Sequence, residues 1–118
     1  MTKPPFDPIH DDRPWGYFDQ FTHGESTSVK IIMVKAGKRL SDQRHQHRSE
    51  LWVVIDDSMA VVINGEQKTY TKGERIFLPA GTWHRAVGLE ADCRWLEISF
   101  GTFDEADIER RDDDFGRA

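Results

Sequence analysis

Three side chains able to coordinate a metal, Gln43, His45 and Glu50, fall within eight residues in the stretch LSDQRHQHRSELW, with His47 between them. In an extended strand alternate side chains share a face, so Gln43, His45 and His47 point one way and Glu50 the other. A turn or bulge near Arg48 and Ser49 returns Glu50 to the inner face, where it starts a strand with Trp52 and Val54 on its own side. His84 is the fourth candidate, because the tight turn Pro79-Ala80-Gly81 before it can bring a distant strand alongside. Imidazole nitrogen with carboxylate and amide oxygen suits a borderline divalent ion: zinc, manganese, iron, cobalt or nickel. A lone histidine is more often an ordinary hydrogen-bonded residue, so the joint spacing carries the signal.

The elements that must position these groups read as strands. Short segments rich in β-branched and aromatic residues recur at 28–35, 50–55, 59–64, 67–70, 75–79, 84–87 and 94–100. Turn residues separate them, most clearly Asn64-Gly65, a pair suited to a two-residue hairpin. Many short strands with no long helical pattern between them predict an all-β sandwich or small barrel. Residues 1–14 hold four prolines and read as an extended arm. Residues 104–117, with seven acids and three bases, read as a short helix or turn outside the barrel. The expected organisation is a single domain over 1–118, with its core at about 28–101, an N-terminal arm at 1–27 and a tail at 102–118.

A chain of 118 residues with a net charge of −5 is expected to bind neither nucleic acid nor an anionic membrane as its main partner. No apolar run approaches the roughly 20 residues that span a bilayer, and the first residues lack the apolar core of a signal peptide, so a cytoplasmic protein is expected. Cys93 is the single cysteine, which excludes a disulfide within the chain and a cysteine-based zinc site, and it reads as a small core residue.

Gly37, Gln43, His45 and Glu50 have the spacing of the first cupin motif, with Gln43 at the place usually held by its first histidine. Gly73, Pro79, Gly81 and His84 match the second. Within the cupins the chain is similar to the C-terminal domain of type II phosphomannose isomerases, which often follow a mannose-1-phosphate guanylyltransferase domain. The matching stretches are RPWG at 13–16, Val29-Lys30, LSDQRHQHRSELWVV, FLPAGTWHR and the closing GTFDEADIERRDDDFGR. The resemblance implies a jelly-roll β-barrel with one divalent ion, zinc first, held by Gln43, His45, Glu50 and His84. It also implies interconversion of mannose 6-phosphate and fructose 6-phosphate. These 118 residues carry no glycine-rich nucleotidyltransferase signature.

Aldose–ketose isomerisation moves a proton between C1 and C2 while negative charge develops on the neighbouring oxygens, so a proton carrier is needed beside any metal. His47, placed at the pocket mouth, and Glu97 are the candidates. The basic residues within the matching stretches, Arg13, Lys30, Arg48, Arg85 and Arg110, are the candidate phosphate contacts, and Trp15 could stack on a sugar face. Leu51 stands where the family commonly has a histidine after the glutamate. The alternative reading is therefore a non-catalytic cupin that binds metal and sugar, with a metal oxygenase third. Exposed sheet edges predict a homodimer.

Overall fold

In the computed structural model, which describes residues 8–118, the chain forms eleven strands and, among the described residues, no helix. The first seven residues of the expected arm lie outside the described residues. The strands are β1 (Ile9–Arg13), β2 (Gly16–Gln20), β3 (Thr27–Val34), β4 (Asp42–Arg44), β5 (Arg48–Val54), β6 (Ser58–Ile63), β7 (Glu66–Thr71), β8 (Arg75–Leu78), β9 (His84–Val87), β10 (Cys93–Gly101) and β11 (Glu109–Asp112). The seven segments rich in β-branched and aromatic residues become β3 and β5 to β10. No helix is long and apolar enough to cross a membrane.

Apart from the hairpin β1–β2, the strands form two antiparallel sheets in the orders β3-β10-β5-β8 and β11-β4-β9-β6-β7. Period-2 alternation gives each sheet an apolar inner face, and both turn it to a shared core. Val34, Trp52, Val54, Ile76 and Trp95 enter from the first sheet, and Met59, Val61 and Ala86 from the second. Trp52 and Trp95 stack at 4.7 Å, worth about 0.5–1.5 kcal/mol beyond the area they bury. Cys93 belongs to this core and is 1% exposed. Asn64 takes a positive φ of 49° ahead of Gly65 at 84°, which closes the β6–β7 hairpin as its sequence predicts.

Four strands lie outside the segments rich in β-branched and aromatic residues: β1, β4 and β11 are mostly polar, and β2, though it holds Tyr17 and Phe18, falls in the stretch read as an arm and carries no clean alternation. β1 and β2 turn over Pro14 and Trp15, in register Arg13↔Gly16, so part of the arm is a hairpin. His10 and Asp19 join it across the strands at 2.7 Å. The tail makes a turn at 105–106 and then, in place of a helix, the edge strand β11 against β4. Cross-strand pairs between Arg44 and Glu109 and between Arg111 and Asp42 match its charges to those of its neighbour.

The far face of the first sheet carries a second cluster, Leu51, Ile98 and Phe100, packed against Phe21 from the segment after β2. Along the edge strand β3 the same face exposes Val29, Ile31 and Met33 at 59%, 62% and 43%.

Candidate metal centre

β4 ends at Arg44, the chain bends at Gln46 and His47, and β5 begins at Arg48. The break that returns Glu50 to the interior thus falls just ahead of Arg48 and Ser49. This placement turns Arg48, Glu50, Trp52 and Val54 inward and leaves His47 exposed. Gly101 makes the bend feasible: its φ is +101°, and a Cβ there would lie 2.7 Å from the His47 carbonyl oxygen, which accepts the Thr102 N–H at 3.1 Å.

His45, Glu50 and His84 converge, with one ligating atom from each lying within 4.8 Å of the others. Each imidazole Nε2 stands 3.6 Å from a Glu50 oxygen, and all three side chains are buried. The Nδ1 of His45 donates to the Asp107 carbonyl at 2.8 Å and that of His84 to the Thr82 carbonyl at 2.9 Å. A carbonyl can only accept, so each Nδ1 carries the hydrogen and each Nε2 lone pair faces the cluster, the arrangement of a ligating histidine. Burial holds the His84 pKa below the usual histidine value against the pull of Glu50, which keeps the ring in its neutral, ligating form.

Glu50 is itself oriented from both sides. Trp52 Nε1–H donates to its Oε1 and Arg48 Nε–H to its Oε2, each at 3.1 Å. The Arg48 guanidinium also lies 3.3 Å from His45 Nε2 and donates to the Asp104 carbonyl at 3.1 Å. Gln43 is the cross-strand partner of His84, and its Oε1 accepts the Ser41 hydroxyl at 2.7 Å. The decisive observation is at His84, whose Nε2 is buried, aimed at Glu50 and without a hydrogen-bond partner among the described residues. A divalent cation would satisfy that orphaned lone pair and the convergent carboxylate together, so this donor set fits a metal.

Glu97 sits on β10 between its cross-strand partners Lys30 and Trp52 and is 5% exposed. Burial, aided by the negative charge of Glu50, raises its pKa to about 7, against the opposing influence of Trp95, Lys30 and Arg48. A carboxyl that titrates near neutrality can both take up and release a proton.

Lys30, Arg48 and Arg110 lie on the same inner face as the cluster. Lys30 pairs with Glu97 and Arg110 with Gln43, and the Arg110 Nε is buried without a partner among the described residues. Arg13 and Trp15 lie at the hairpin tip, where Arg13 pairs with Asp11 and Trp15 is 75% exposed. Arg85 faces away from His84, its neighbour in sequence, and is bound to the Leu40 carbonyl and Asp112.

Three contributors were not legible as site residues. Trp52 reads as core, yet its N–H holds Glu50. Phe103 has Lys30 Nζ and the Arg48 guanidinium each 4.7 Å from its ring centre. Asp107 accepts the backbone N–H groups of Gln46 and His47 through its carboxylate, besides holding His45 through its carbonyl. Only the spacing of Glu50 and Trp52 on one strand face offered a sequence signal.

Leu51 points into the outer cluster with Ile98 and Phe100, on the opposite side of β5 from Glu50. Leu51→His is therefore expected to cost about 2–3 kcal/mol in urea unfolding, because an imidazole replaces apolar packing, and to leave metal affinity unchanged. Tighter metal binding by that variant would show that position 51 reaches the site.

A family model described as the mannose-6-phosphate isomerase C-terminal domain matches residues 8–113. The chain is 36% identical over 111 residues to a mannose-1-phosphate guanylyltransferase of Salmonella montevideo, covering 89% of this chain and 23% of that protein. It is also 36% identical over 107 residues to the Escherichia coli K12 protein of the same name, covering 89% and 22%. The chain thus spans under a quarter of these relatives. Among solved structures, KdgF from Halomonas aligns with a TM-score of 0.64 at 20% identity, covering 72% of this chain and 77% of that one. A structure titled as a sugar phosphate isomerase of the cupin superfamily, from Silicibacter pomeroyi, aligns at 0.61 and 16%, covering 76% and 69%. The fold is that of the cupins.

Proposed function

The chain belongs to the mannose-6-phosphate isomerase C-terminal family, and from that premise we propose that it is a metal-dependent phosphosugar isomerase interconverting mannose 6-phosphate and fructose 6-phosphate. The observation that carries the reading is the buried, unpartnered Nε2 of His84 facing His45 and Glu50, with a neutral-range carboxyl and three cations on the same inner face. His45, Glu50 and His84 would hold the ion, with Gln43 beside them, and zinc suits two neutral imidazoles and a carboxylate. A bound ion would supply Lewis-acid stabilisation of the charge that develops on the sugar oxygens.

The chain's own residues supply the rest. Glu97, as its carboxylate, takes the C2 proton of the aldose and returns it to C1, while the hydroxyl proton passes from O2 to O1, which converts aldose to ketose. His47, outside the mouth, is the alternative carrier. Lys30, Arg48 and Arg110 receive the phosphate, their charge offsetting that of Glu50. Arg48 also supports the second reading, a non-catalytic metal- and sugar-binding cupin, because its guanidinium already lies against two of the donor atoms. An oxygenase ranks third, since Gln43 stands where such a site would ordinarily offer another histidine.

A coupled assay for fructose 6-phosphate formed from mannose 6-phosphate, with added divalent ions and with chelator, tests the reading. Metal-dependent turnover is expected. No turnover, with metal-dependent protection against heat, would transfer the site to the binding reading, and oxygen uptake with iron to the third. We further propose a cytoplasmic homodimer built on the apolar outer face of β3, and a monomer mass in sedimentation would overturn the dimer.

A further inference from the structure

Residues 102–108 cross in front of Lys30 and Arg48. The segment is tied down on one side by Asp107, through His45 and the amides of Gln46 and His47, and in the middle by Arg48, which donates to the Asp104 carbonyl. Phe103 lies against both Lys30 and Arg48. Glu105 then extends its carboxylate to 2.6 Å from Lys30 Nζ, and 73% of the Glu105 side chain remains exposed. The Lys30 ammonium draws its pKa below the usual carboxylate range. A carboxylate thus sits on Lys30 at the outer edge of the site, whereas Arg48 is held by Glu50 inside it.

We propose that Glu105 is an internal competitor at the phosphate subsite: its carboxylate occupies Lys30 as a stand-in for the substrate's phosphate and is displaced when a phosphate monoester binds. The inference rests on the phosphosugar reading, which it deepens. A phosphate monoester at neutral pH carries close to two negative charges and three acceptor oxygens. Exchanging one carboxylate for it adds negative charge beside Lys30 and Arg48, which share the Phe103 ring. A neutral hydroxyl offers no charge to replace that of Glu105, and a monoanion only equals it, so the unphosphorylated sugar gains nothing by entering. Because the Lys30–Glu105 pair is exposed, it is a weak one, and displacing it lowers phosphate affinity by only about five-fold while leaving a neutral sugar unaffected.

The test is calorimetric titration of the full chain with inorganic phosphate and with mannose, using the parent, Glu105→Gln and the double variant Lys30→Met/Glu105→Gln. Glu105→Gln should bind phosphate about five-fold more tightly and mannose no differently, and the gain should vanish when Lys30 is also replaced. An unchanged or weaker phosphate affinity in Glu105→Gln, a gain that survives loss of Lys30, or no phosphate binding by any of the proteins overturns the proposal. Its failure is separable from that of the isomerase reading. Tightened phosphate binding without turnover of mannose 6-phosphate by the parent keeps the role of Glu105 and removes the isomerase. Turnover without the gain removes Glu105 alone.

Discussion

His84→Ala is expected to abolish metal binding by the full chain, weakening zinc by at least about 100-fold in competition with a chromophoric chelator. The substitution removes an Nε2 that is buried, already deprotonated by the hydrogen bond of Nδ1 to Thr82, and within reach of Glu50. His45→Ala should do the same, since its ring is fixed in the matching tautomer by Asp107. His47→Ala should bind metal like the parent, because its side chain is exposed beyond the bend. Trp52→Phe keeps an aromatic ring at the position but deletes the indole N–H that orients Glu50, and should weaken the metal by about 10–100-fold, the range for a group that positions a ligand. Metal held by His84→Ala as firmly as by the parent would sink the ligand assignment.

The second large effect is at Glu97. Glu97→Gln should lower turnover of mannose 6-phosphate by at least about 100-fold, the usual share of a positioned proton carrier, with KM little altered. The same substitution has a signature in stability that needs no substrate. In the unfolded chain this carboxyl has its ordinary pKa of 4.5, and in the metal-free fold it is raised to about 7. Between those values the native state holds the extra proton, so stability contributed by Glu97 is full below pH 4.5 and falls as pH rises towards 7. The variant, free of that loss, should be more stable than the parent above pH 7 by about 3 kcal/mol, with the difference fading at low pH. Urea unfolding in the presence of chelator at several pH values measures it. Parallel curves for the two proteins would mean that Glu97 is not held protonated by its surroundings, and unchanged turnover would pass the proton to His47.

Leu51 illustrates how position in the fold alters the meaning of a residue. In sequence it is the departure from the family pattern that weighs most against catalysis, since it directly follows a ligand. In the folded chain adjacent strand residues face opposite ways, and Leu51 fills the outer cluster while Glu50 enters the site. The departure leaves the inner face untouched. The cations divide in the same manner. Arg85 follows His84 and so points away from it, whereas Lys30 and Arg110, far off in sequence, arrive through their pairing with Glu97 and Gln43.

What the amino-acid order determined by itself is local. Strand segments with β-branched and aromatic residues, the Asn64-Gly65 turn and the spacing of Gln43, His45, Glu50 and His84 follow from side-chain period and turn chemistry, which act over a few residues. The tertiary structure alone decided the rest. The bend at Gln46 and His47 expels one histidine and returns Glu50 because Asp107, some sixty residues on, binds the two bend amides. The strands β1, β2, β4 and β11 form because cross-strand partners supply the ion pairs and backbone bonds that their own sequences do not announce. Glu97 reaches a pKa of about 7 because burial and the charge of Glu50 meet at one point of the interior. Each depends on groups distant along the chain, and a contact of that kind exists only once the sheets have paired.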